Sequence, residues 1–195
     1  MSTLSELTQT HLGSLITASI NDFFNGYRCM FDKDIKPSLT STETVPVGSL
    51  KRATEGIVAL NHVTYTGKTY TGGAIQIILD KKAVFAMGGL TIMLPAPRIQ
   101  EDCLKGTEDD AKRMVDSVGE VGNLLMGSFS KIFREGGLGV DGIDDEMEML
   151  LDLPVPVGDF EVPAVGDAEN VQVFTYQMAV TGIDPFIFRV VVPAA

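Results

Sequence analysis

The chain has 195 residues, 45% hydrophobic and 21% charged, with a formal net charge of −11. That length suits a single domain, 1–195, with a substantial core. An acidic chain without a basic stripe is repelled by nucleic-acid phosphates and by anionic membrane surfaces, so neither is an expected partner; a basic feature on a protein fits better. No apolar run approaches the length of a membrane span, and the N-terminus lacks a basic region of the secretory kind. The two cysteines, Cys29 and Cys103, stand in no metal or redox spacing. A reduced cytoplasmic protein is the simplest expectation.

Taken in order, residues 4–27 are expected to form a helix, because Leu4, Leu7, Leu12, Leu15, Ile16, Ile20, Phe23 and Phe24 recur at helical spacing and Asn25-Gly26 offers a stop. Residues 32–50 are rich in Ser, Thr and Pro and predict a loop with at most a short strand. Gly56–Thr66 and Ala74–Leu79 predict strands, separated by turns at Thr66-Gly67-Lys68 and Thr71-Gly72-Gly73. Asp80 is an N-cap candidate for a short helix from Lys81 to Met87, ended by Gly88-Gly89. Residues 95–106, with two prolines, predict a connection.

Thr107 to Arg134 is the longest periodic segment. It predicts one helix capped by Thr107, with Glu108, Asp109 and Asp110 in the first turn and Gly136-Gly137 as its stop. An acidic stretch follows, Asp141 to Asp152. The C-terminus alternates Phe174, Tyr176, Met178 and Val180, then Phe186, Phe188, Val190 and Val192, on either side of a turn in Thr181–Pro185, which predicts a hairpin. Strands arrive in runs between helices, so an α+β fold with a mostly antiparallel sheet is expected.

Within the long helix, Ala111, Met114, Val115, Val118, Gly122, Leu125, Phe129, Ile132 and Phe133 form an apolar stripe, which should pack on the sheet. Asp116, Glu120, Asn123 and Gly127, spaced four, three and four, share the opposite face. Glycine in a helix interior costs about 1 kcal/mol relative to alanine. Gly122 is explained by close packing on the sheet. Gly127, on the polar face, would let another protein approach the backbone. From spacing alone, a plain solvated face remains the blander alternative.

The string DSVGEVGNLLMGSF, with Asp116-x3-Glu120-x2-Asn123, resembles the signature helix of the CheC/CheX family of chemotaxis phosphatases. GAIQIILDKKAVFAMGG, LPVPVG and the final hairpin resemble other parts of that family, so the likeness covers roughly 52–193. It implies a CheC-like α+β fold with two long helices packed on one face of the sheet and pseudo-symmetric halves of about 1–104 and 105–195. It further implies hydrolysis of the aspartyl phosphate on a CheY-like receiver. Asn123 would hold the attacking water and Glu120 would pair with the receiver's lysine. Asp116 and Gly127 would support docking, and Lys131 would lie at the rim. A Mg2+ ion would be held by the receiver, and the chain would need no cofactor or metal of its own. The N-terminal helix carries Ser14-x3-Ala18-x2-Asn21, with alanine at the glutamate position, so one site is expected, the CheX-like condition, and with it a homodimer. Asp141–Asp152 looks like an insertion. The alternative function is a non-catalytic binding module of the flagellar-switch kind.

Other signals are weak. The Gly136–Gly139 run lacks the Lys-Ser/Thr of a phosphate loop, and the glycine in Asp141–Glu146 is misplaced for a calcium loop. His11 and His62 stand alone, and Ser117, Ser128 and Ser130 show no triad partners.

Overall fold

The computed structural model describes residues 9–26, 34–53, 57–58, 62–65, 73–135, 147–150, 155–156 and 169–194. Its elements are α1 (Gln9–Gly26), β1 (Ile35–Pro46), α2 (Val47–Ala53), β2 (Ile57–Val58), β3 (His62–Tyr65) and β4 (Gly73–Leu79). They continue as α3 (Lys81–Thr91), α4 (Ala96–Lys105), α5 (Glu108–Lys112), α6 (Val115–Glu135), β5 (Met147–Leu150), β6 (Val155–Pro156), β7 (Asn170–Val180) and β8 (Ile183–Pro193). Six strands form one sheet in the order β1-β7-β8-β4-β3-β5, and every pairing in it is antiparallel. β2 and β6 pair separately. The fold is the expected α+β type.

Strand alternation decides which side chains meet the helices. Ile77, Leu79, Phe174, Tyr176, Met178, Phe186, Phe188, Val190 and Val192 join Leu15, Ile16, Ile20 and Phe23 of α1, Val84 and Met87 of α3, and Val118, Leu125 and Phe129 of α6 in the main core. The intervening Ile78, Val171, Val173 and Val191 point to the other face, where Leu50 of α2 covers them. The two long helices, α1 and α6, thus lie side by side on one face, as expected. β7 and β8 are joined by the two-residue turn Thr181-Gly182, where Gly182 takes φ +82°, a region costly for any residue with a Cβ. The amide of Gln100 grips this hairpin from α4, donating to the Asp184 carboxylate (2.7 Å) while its oxygen accepts from the Asp184 N–H (2.8 Å).

Several expectations change. Residues 35–46 are a twelve-residue strand at the sheet edge, not a loop, followed by helix α2. An edge strand has one paired side, so it tolerates the Ser, Thr and Pro content that resembled a loop. Helix α3 does not stop at Gly88-Gly89 but runs to Thr91. Both glycines are buried within it: a Cβ on Gly88 would lie 3.0 Å from Met114, and one on Gly89 2.7 Å from Ile99. They mark close helix contacts, not a cap. The connection 95–106 is helix α4, whose prolines sit at Pro95 and Pro97, the first-turn region where the missing N–H costs little.

Thr107 is an N-cap, in a capping box with Asp110, but of the five-residue α5. The chain breaks at Arg113-Met114 before α6 begins, so the expected single helix is two. Asp80 caps α3 as expected, its carboxylate accepting from the Ala83 N–H at 2.8 Å. Leu4, Leu7, the turns at 66–68 and 71–72, the glycines after Glu135 and the acidic residues 141–146 and 151–152 lie outside the described residues. Cys103 is a free, buried thiol, which burial pushes up to a pKa of about 11. Among the described residues, no helix is long and apolar enough to cross a membrane.

Candidate functional site

Helix α6 owes its orientation to its inward stripe. Val118, Val121, Leu125 and Phe129 are buried, and at 3.6 residues per turn they fall on one side of the helix. Asp116, Glu120, Asn123 and Gly127 fall within about 60° of one another on the opposite side. Glu120 and Gly127 are exposed there. The sequence-predicted site residues therefore all belong to one helix, on successive turns of the side away from the core.

Gly127 has nothing within 4 Å of where a Cβ would stand, and the same holds for Gly119. The domain's own packing does not require glycine at either position, although each weakens the helix. Gly122, by contrast, is buried. The glycine at 127 leaves bare backbone on the outward face, within two turns of Glu120.

The neighbouring helix α1 is tied to α6 by a polar clasp that the sequence did not reveal. Lys131 Nζ donates to Asp22 Oδ1 at 2.8 Å. Ser128, buried on α6, also hydrogen-bonds the Asp22 carboxylate. Chiefly the Lys131 hydrogen bond holds the Asp22 pKa below the ordinary carboxylate value, against the opposing effect of burial. Lys131, expected at the rim of the site, is thus a tie between helices. A second polar tie joins α1 to the sheet: the Thr17 and Tyr176 hydroxyls lie 2.9 Å apart. Burial raises the Tyr176 pKa to about 12. Among the described residues, no three His, Cys, Asp or Glu side chains gather as metal ligands.

Compared with protein-family models and with curated protein sequences, the chain matches none. Its likeness is to solved structures. FliY from Thermotoga maritima superposes with a TM-score of 0.70 at 19% identity, covering 100% of this chain and 93% of that one. FliM in the FliG–FliM complex from H. pylori superposes with a TM-score of 0.66 at 11% identity, covering 97% and 94%. A CheC-like superfamily protein from Shewanella sp. PV-4 superposes with a TM-score of 0.52 at 13% identity, covering 91% and 96%. The chain has the CheC-like, FliM-middle-domain-like fold. Each likeness covers 91% or more of both chains. At such identities they establish architecture, and the site must be argued from its own residues.

Proposed function

We propose that the chain is a phosphatase for the phospho-aspartate of a CheY-like response regulator, acting through the outward face of α6. One observation carries the reading. An exposed carboxylate, Glu120, sits one turn before Asn123 on the side of α6 opposite the buried stripe, beside a glycine that the fold itself does not need. A carboxylate suits a charge-assisted hydrogen bond to the lysine of a receiver site. A carboxamide one turn on can donate and accept together, which is what holding an attacking water requires. The one-turn spacing lets both groups cross the same gap between two proteins.

In this reading the phosphoryl group and the Mg2+ that neutralises it belong to the receiver. The phosphatase supplies position: Glu120 fixes the docking, Asp116 supports it, Gly127 admits the partner to the backbone, and Asn123 places the water in line. The acidic balance of the chain, −11, favours a partner that presents a basic group.

The likeness to FliY and FliM favours a second reading, since the H. pylori FliM with this fold stands in a complex with FliG, and the FliY and FliM superpositions score above the Shewanella one. In that reading the same face docks a protein without chemistry. The lifetime of a phosphorylated CheY-like receiver from the same genome, with and without this chain, separates the two. Faster decay supports the phosphatase. Saturable binding with an unchanged lifetime makes the chain a binding module.

A further inference from the structure

The side of α1 bearing Ser14 and Asn21 forms one wall of a groove of about 670 Å³, away from the site on α6. The edge strand β1 forms the other wall with Thr42 and with Leu39, which is 44% exposed at the rim. Phe174 and Gln172 of β7 line its base. Among the described residues, no charged side chain lines the groove, in a chain that carries −11.

Gln172 is the feature that needs an explanation. Its side chain is buried, at 6% exposure, and its carboxamide has no hydrogen-bond partner among the described residues. A carboxamide offers two donors and an acceptor, and buried groups of this kind are nearly always paired. Phe174, two residues on along the same face of β7, is wholly apolar and buried in the core. A leucine at 172 would meet the fold's needs with no unpaired amide. Gln172 lines the groove, so an occupant of the groove is what can pair its amide.

We infer that the groove binds an extended, uncharged segment of a partner protein that presents an Asn or Gln side chain to Gln172. An amide answers an amide, since each supplies the donor and the acceptor the other lacks. A charged ligand would be desolvated against walls whose described residues hold no counter-charge. The groove is open along its length, whereas a compact small molecule is held by a pocket that encloses most of its surface. The segment lies in the groove and does not extend the sheet. β1 carries Pro37 and Pro46, which lack an N–H, and its ladder is interrupted between Leu39 and Ser41. The rim leucine adds an apolar contact beside the amide pair.

The test uses the full chain and fluorescein-labelled, end-capped octapeptides of Ser, Thr and Val with a central Gln, Leu or Glu, read by fluorescence anisotropy. The Gln peptide is expected to bind saturably and about tenfold more tightly than the other two, the effect of one good buried hydrogen-bonded pair. Gln172→Leu is expected to abolish that preference while raising the melting temperature, a combination that a merely structural glutamine would not give. Ala18→Trp, an exposed change on the groove wall that leaves the core untouched, should block all three peptides. The inference is overturned if the peptides bind alike or not at all, or if Gln172→Leu keeps the preference. It is also overturned if sedimentation shows a dimer that Ala18→Trp dissociates without any peptide preference, because the occupant is then a second copy of the chain.

Discussion

Gly127→Ala separates what the fold needs from what a partner needs. The position is exposed, inside α6, and a Cβ there would meet nothing within 4 Å. Helix propensity alone then predicts a stabilisation of about 1 kcal/mol. For a domain of this length that raises the melting temperature by roughly 2–4 °C. Docking should move the other way. If a receiver packs against the bare backbone at 127, an added methyl overpacks the contact by about 1–3 kcal/mol, or roughly 5- to 150-fold in affinity. Thermal melts give the first quantity. Titration calorimetry with a receiver carrying a beryllofluoride mimic of the phosphoryl group gives the second. Gly119→Ala, equally unobstructed, calibrates the gain in helix stability. A stabilised variant with unchanged receiver affinity would refute the docking role of Gly127, and a lowered melting temperature would refute the packing argument itself.

Gly106→Ala should do the opposite, since an ideal Cβ would stand 2.3 Å from the Phe85 ring and 2.5 Å from the Asp102 carbonyl oxygen; a loss of about 1–3 kcal/mol would appear as a melting temperature several degrees lower. Asp22→Asn should cost no more than about 1 kcal/mol at neutral pH, because its Lys131 partner is half exposed. The Asp22 pKa is lowered in the fold, so the stability it contributes is present above the ordinary carboxylate pKa and is lost as pH falls through the lowered folded value. Denaturant melts of wild type and variant should therefore converge in acid. Tyr176 has the opposite sign: its pKa is raised from 10.0 to about 12, so its contribution is intact below pH 10 and is lost as pH rises through 12. That shift corresponds to roughly 2–3 kcal/mol, and alkaline melts of Tyr176→Phe should lack this loss.

The inward stripe of α6 was legible because Val118, Leu125 and Phe129 repeat at helical spacing and nothing in the fold overrides them. The exposure of Glu120 and Gly127 on the other side of α6 follows from the same spacing. The glycine pair in α3 was misread because sequence cannot distinguish a cap from a close helix contact; Met114, from the break between α5 and α6, and Ile99 of α4 fill the space beside Gly88 and Gly89. β1 was missed because an edge strand needs no alternating apolar pattern on its open side, and α4 because prolines at a helix start look like those of a loop. The Asp22–Lys131 tie joins residues 109 apart, and the α1–β1–β7 groove joins three separate segments. Neither has a local signature, so only the folded arrangement brings them together.

The most direct test of the account is the Asn123→Ala variant, measured for both receiver binding and receiver dephosphorylation. The account predicts that binding survives, because in it Glu120 and the α6 backbone carry the docking, while the acceleration of aspartyl-phosphate hydrolysis falls by roughly 10²-fold or more, since placing the water is most of what such a phosphatase would contribute. An Asn123→Ala protein that accelerates hydrolysis as well as wild type would contradict it.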